Sequence, residues 1–110
     1  MTNVFVIAHH TRAEVGSLIA AVDSWLSVAG HYLWMPPADA EAHHLMHLAS
    51  DRDASDADIL VSLGGDGTVL RAVHMLNGAP VPILGVNVGT LGYLTEIEPA
   101  DLSTSLRCWM

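Results

Sequence analysis

Apolar residues along this chain follow two rhythms. Three short runs rich in branched side chains read as strands covered on both faces: Val4-Phe5-Val6-Ile7-Ala8, Ile59-Leu60-Val61-Ser62-Leu63 and Pro82-Ile83-Leu84-Gly85-Val86. Between them the period lengthens. Residues 13–29 carry Val15, Leu18, Ile19, Val22, Trp25, Leu26 and Ala29 at helical spacing, with Gly30 as the stop. His31 to Met35 reads as a short edge strand closed by Pro36-Pro37. A second helix is predicted from Asp39 to Ala49, with Leu45 and Leu48 on its apolar side, and then an acidic loop from Ser50 to Asp58. After the Ile59–Leu63 run a third helix takes its apolar side from Val69, Leu70, Val73, Met75 and Leu76, and Asn77-Gly78-Ala79-Pro80 ends it. Strands alternating with helices imply parallel pairing through right-handed crossovers. The expected fold is one α/β domain: an open, mostly parallel sheet with helices on both faces, Rossmann-like in layering only.

In such sheets ligands sit outside the carboxyl ends of the strands. Three loops fall there: His9-His10, Gly64 to Thr68, and Asn87 to Gly92. The middle one, Gly64-Gly65-Asp66-Gly67-Thr68, is the most specific stretch in the chain. Its glycines allow a sharp turn, positive φ and close approach of a ligand, and Thr68 can cap the helix that follows. A glycine turn opening a helix beside a sheet is an anion site, because free N–H groups and the positive end of the helix dipole meet there. Asp66 is the odd member, since a phosphate would repel its carboxylate. The residue makes sense as acceptor of a proton from a hydroxyl that attacks phosphorus. An Asp-Gly pair alone needs no role beyond an ordinary turn bond; the full motif between a buried strand and a helix favours function. Two familiar phosphate readers are excluded. The chain has no lysine and no Gly-x4-Gly-Lys, so it is not a P-loop, and Gly64, Gly65 and Gly67 are too closely spaced for a dinucleotide fingerprint.

Composition narrows the partners. Hydrophobic residues make up 51% of the 110 residues and charged ones 15%, which is globular and not disordered. A formal net charge of −8 argues against nucleic acid or an anionic membrane surface. Phosphates must therefore be held locally, by amides, a metal and Arg71. A single cysteine, Cys108, allows no intrachain disulfide and suits a reducing, cytoplasmic setting. No run approaches about 18 apolar residues, so no membrane span is expected.

The glycine motif resembles the signature shared by NAD kinases, diacylglycerol-type lipid kinases and, more distantly, phosphofructokinases. A second block separates them. Pro82-Ile83-Leu84-Gly85-Val86-Asn87-Val88-Gly89-Thr90-Leu91-Gly92-Tyr93-Leu94-Thr95 is similar to the second NAD kinase block, Gly-x-Asn-x-Gly-x-Leu-Gly-Phe-Leu, with Tyr93 in place of Phe. The resemblance is specific from Asp58 to about Pro99 and general over residues 1–57. It implies transfer of the γ-phosphoryl of ATP, or of polyphosphate, with Mg²⁺, to the 2′-hydroxyl of the adenosine ribose of NAD, giving NADP. Asp66 would be the proton acceptor. Gly64, Gly65, Gly67 and Thr68 would face phosphate oxygens. Arg71, one turn into the helix, can reach back toward the loop or stand as a solvated surface residue. Asn87 would brace the two loops or touch substrate, and Tyr93 would lie on an adenine or cap the core. The full-length enzyme would be a homo-oligomer. A lipid kinase would share the turn but need an apolar or basic surface, and a net charge of −8 without lysine opposes it. A non-catalytic nucleotide-binding or assembly chain is the third reading.

Other features weigh less. His43 and His47, at i and i+4 of the predicted second helix, form a workable ligand pair, but no third ligand lies near and surface histidines are the simpler reading. Asp51, Asp53, Asp56 and Asp58 lack the Gly and Glu of an EF-type loop and read as solvated. No metal-ligating residue is assigned. Near the end, Glu98-Pro99 starts an expected helix whose Leu102, Leu106, Trp109 and Met110 form an apolar stripe. By the resemblance, residues 1–110 are an N-terminal domain without the β-rich second domain, carrying an Asn-Glu or Asn-Asp motif, into which family members continue, and the expectation is a fragment, a split gene product or a truncated relative. The isolated chain is expected to be inactive.

Overall fold

The computed structural model describes residues 2–8 and 13–87. They form a four-stranded parallel sheet in the order β2-β1-β3-β4, with β1 at Asn3–Ala8, β2 at Tyr32–Trp34, β3 at Ile59–Gly64 and β4 at Ile83–Asn87. The helices are α1, Ala13–Val28, α2, Pro37–Ala42, and α3, Asp66–Leu76. Met46–Leu48 and Ala54–Asp56 are single 3-10 turns. β1 and β3 lie in the middle, where their runs of buried residues belong.

Alternation along the strands divides the core in two. Val4, Val6 and Ala8 of β1, with Ile59, Val61 and Leu63 of β3, pack under Val15, Ile19, Val22 and Leu26 of α1. Phe5, Ile7 and Leu60 face the other way, against Ala72 and Leu76 of α3. The helices thus cover opposite faces. The sheet order calls for this: one crossover runs from β1 outward to β2, another from β3 outward to β4, and right-handed connections in opposite directions put their helices on opposite faces. At the β2 edge, Trp34 packs on Phe5 at 5.1 Å, and the Arg52 guanidinium stacks over the Trp34 ring at 4.4 Å.

α1 ends as predicted. Gly30 has φ +85°, with His31 N–H donating to Leu26 C=O and Gly30 N–H to Ser27 C=O, the paired closure of a Schellman motif. The predicted second helix is a correction. It stops at Ala42, because the same closure occurs at His44, which adopts φ +57°. Leu45 N–H donates to Ala40 C=O and His44 N–H to Glu41 C=O. Ala40 and Leu45 then pack in the α1-side core, the hydrophobic contact that accompanies this motif.

α3 also departs from expectation in two respects. It begins at Asp66, with Gly65 as N-cap, so Thr68 is a buried residue of the first turn and not the cap. Gly65 C=O takes the amides of both Thr68 and Val69. Its buried face is Thr68, Val69, Ala72 and Leu76, at i, i+1, i+4 and i+8 once the helix starts there. Leu70 and Val73 fall on the outer face, at 52% and 54% exposure. The stripe at Leu102, Leu106, Trp109 and Met110 lies outside the described residues, as do His9-His10 and Tyr93. Among the described residues no helix is long and apolar enough to cross a membrane.

Candidate active site

The order β2-β1-β3-β4 has its switch point between β1 and β3, where one crossover departs to each side. In open α/β sheets this point, outside the carboxyl ends of the two central strands, is where ligands bind. The register brings the expected pieces to that end. Ala8, the last residue of β1, pairs with Leu63, and Gly64 pairs with Asn87. The glycine turn therefore sits between the end of β1 and the end of β4, and Asn87 is its neighbour in the ladder.

The turn itself uses no left-handed residue. Gly64 is a strand residue, Gly65 has φ −120° and Gly67 is helical, so the expectation of positive φ at these glycines is not met. Their use is space. A Cβ built on Gly65 or Gly67 would have no atom within 4 Å among the described residues. A Cβ there would clash with nothing among the described residues; it would take up open space at the start of α3. Among the described residues no side chain caps α3. The amides of Asp66 and Gly67 precede those taken by Gly65 C=O, and the first turn of a helix offers them no intrahelical acceptor. Asp66, in that turn, is half-buried, and Gly67 is exposed. The arrangement is a short row of backbone donors with one carboxylate among them.

Arg71 is not a loose surface residue. Its Nη1 and Nη2 donate to the two carboxylate oxygens of Asp39, at 2.9 and 2.7 Å. Asp39 is completely buried and also accepts the Ala8 N–H at 3.0 Å. The guanidinium is thereby fixed at the carboxyl end of β1. Asp39 carried no signal in the sequence beyond following Pro36-Pro37; its partner lies 32 residues away.

The other titratable candidates separate. His43 is buried, its ring beside Gly16 of α1, while His47 is exposed on the 3-10 turn and 4.0 Å from Asp23. The break at His44 means they do not share a helix face. In the acidic loop, Asp53 caps the Ala54–Asp56 turn by accepting the Ser55 N–H and hydroxyl at 2.9 and 2.8 Å. Those bonds, the backbone one foremost, hold its carboxyl below the usual carboxylate range. Asp58 accepts the Asn3 N–H at 2.7 Å.

Known proteins are similar to this chain in sequence and in fold. The family described as ATP-NAD kinase N-terminal domain matches residues 4–110. The NAD kinase of Thermococcus sibiricus is 40% identical over 101 residues, covering 87% of this chain and 35% of that protein. The NAD kinase of Methanothermobacter thermautotrophicus is 33% identical over 108 residues, covering 97% and 38%. The chain thus spans little more than a third of these relatives' length. Among solved structures, yeast NADH kinase complexed with NADH superposes with a TM-score of 0.77 over 97% of this chain and 37% of that one, at 22% identity. On the fold, the motif and the family match together, this chain belongs to the ATP-NAD kinase family, through its N-terminal domain.

Proposed function

We propose that this chain is the glycine-turn domain of an NAD kinase, which transfers the γ-phosphoryl of ATP to the 2′-hydroxyl of the adenosine ribose of NAD and yields NADP. The observation that carries the reading is the uncapped N-terminus of α3, with Asp66 in its first turn and open space at Gly65 and Gly67. Phosphoryl transfer asks little covalent chemistry of the protein. It asks for placed donors, a placed acceptor and exclusion of water.

The roles follow from position. The exposed amides of the turn hold phosphate oxygens, aided by the helix dipole. The Asp66 carboxylate takes the proton of the 2′-hydroxyl as its oxygen forms the new bond to phosphorus, and the leaving oxygen stays on ADP. Thr68, buried in the same turn, fixes the helix start. Asn87, paired with Gly64, ties the second block to the first. Among the described residues no three ligating side chains cluster. They therefore fit Mg²⁺ only as an ion carried by the nucleotide phosphates, where it neutralises charge.

Replacement of Asp66 by Asn in the full-length enzyme tests this. The base is removed while shape and turn bonds are retained, so turnover should fall about 10²–10⁴-fold with little change in stability. Retention of most of the turnover would remove Asp66 from the mechanism.

A further inference from the structure

Two cations lie among the described residues, Arg52 and Arg71. Arg52 is stacked on the Tyr32 and Trp34 rings at the β2 edge. Among the described residues Arg71 is thus the arginine held at the carboxyl end of β1. Its terminal nitrogens each give one hydrogen to Asp39, and it makes no further bond among the described residues. A guanidinium has five N–H donors, so about three remain. The side chain is 37% exposed, while Asp39 behind it is 0% exposed.

A completely buried carboxylate is retained only when its charge is met by good geometry. A fork-to-fork pair supplies that geometry and also fixes the plane of the guanidinium. The third bond, from Ala8 N–H, fixes Asp39 to the last residue of β1. Ala8 stands across from Leu63, one residue before the glycine turn. Asp39 therefore sets where the outer edge of Arg71 stands relative to the α3 N-terminus.

We propose that Asp39 is a positioning residue of the phosphate site: by clamping Arg71 from behind, it holds the remaining N–H donors of the guanidinium ready for a phosphate or polyphosphate group seated at the glycine turn. The proposal rests on the reading of that turn as a phosphate site. The buried carboxylate is screened from the anion by the guanidinium it holds, so its negative charge does not oppose binding.

Inorganic tripolyphosphate is the probe, titrated into the protein with backbone amide shifts as the readout, well below the melting temperature of each variant. The wild type should bind and shift the amides of Gly65 and Gly67. Arg71→Met should weaken binding about tenfold or more, the equivalent of one charge-assisted hydrogen bond. Arg71→Lys should also weaken it, because an ammonium cannot be clamped in a plane. Asp39→Asn keeps an acceptor for Ala8 N–H and should weaken binding several-fold. The Asp39→Asn/Arg71→Met double variant should be no weaker than Arg71→Met alone, since Asp39 acts only through Arg71. If Arg71→Met does not fold, Arg71→Lys completes the same cycle. A purely structural role would lower the melting temperature and leave the affinity of the folded protein unchanged. Unchanged or tighter binding in Asp39→Asn, or additive losses in the double variant, overturns the proposal while the glycine turn remains a phosphate site. A wild type that binds no tripolyphosphate overturns both.

Discussion

Removal of the Arg71 charge should destabilise the protein far more than a half-exposed arginine normally does. In Arg71→Met the apolar stem is largely kept, so lost packing is small. What changes is Asp39, which stays at 0% exposure with Ala8 N–H still donating but without the bidentate bond from Arg71. Breaking a buried pair on one side typically costs about 3–5 kcal/mol. Arg71 is itself 37% exposed, so water can partly replace it, and the lower end, about 3 kcal/mol, is expected. A domain of this size has a total stability of about 5–15 kcal/mol, so the loss is a large share. Urea denaturation at 25 °C is the assay; with a slope of about 1.5 kcal/mol/M the midpoint should fall by about 2 M at unchanged slope. The double variant Asp39→Asn/Arg71→Met removes both charges and keeps the acceptor for Ala8. It should therefore be more stable than Arg71→Met alone. A cost below about 1 kcal/mol in Arg71→Met, the range of a surface pair, would refute the assignment of Asp39 as a buried ion. So would a double variant that is simply the sum of its parts.

Three smaller predictions follow from local geometry. His44→Gly should stabilise the protein by about 1 kcal/mol, because His44 closes α2 at φ +57° where glycine has no steric penalty; a lower urea midpoint would contradict this. Ser62 Oγ is buried under α3 without a hydrogen-bond partner, so Ser62→Ala should be neutral or stabilising by about 1 kcal/mol, and a loss beyond that would show that the hydroxyl is satisfied. The Asp53 carboxyl should titrate below the ordinary carboxylate range, and since its pKa is lowered on folding, the turn it caps is favoured above the unfolded value and lost as pH falls through the folded one. Ser55→Ala removes only the lesser of the two bonds, so carboxyl NMR should show the titration moving part of the way back; a complete return would mean that the backbone bond contributes nothing.

The strands and the turn were legible because their signals are local. Val4–Ala8 and Ile59–Leu63 are buried on both faces and have to read as unbroken apolar runs. Gly30 closes α1 at φ +85°, and only glycine takes that angle without penalty. The same closure at His44 was hidden because the residue in the left-handed position is not glycine. With no stop visible, Leu45 and Leu48 were read as one continuous helical face. The start of α3 was misplaced for a related reason. Thr68 is the better cap by propensity, yet Gly65, three residues earlier, already collects the amides of Thr68 and Val69 on its C=O. Shifting the start leaves Leu70 and Val73 outside and puts Ala72 inside, which residue type alone would not suggest. Asp39 and Arg71 could not be paired from sequence, since nothing local marks a contact over 32 residues.

The pair matters to the proposed chemistry through leverage as well as through charge. Arg71 and Asp66 are on the same helix, five residues apart, which is about 7.5 Å of axial rise. The helix packs on the sheet through Val69, Ala72 and Leu76, contacts that resist separation from the sheet but have no direction of their own. The bidentate bond to Asp39 is directional, and it is anchored to the end of β1. If its loss let α3 tilt by about 5°, Asp66 would move by roughly 0.7 Å over that rise. Displacements near 1 Å can cost about 10²-fold when reaction depends on alignment. Stability and turnover should therefore part company in Asp39→Glu of the full-length enzyme. The longer carboxylate keeps the charge pair but shifts its seat, so most of the stability should survive while turnover falls with the binding of NAD little changed. Equal losses in stability and turnover, or none in either, would show that the orientation of α3 is set by packing alone.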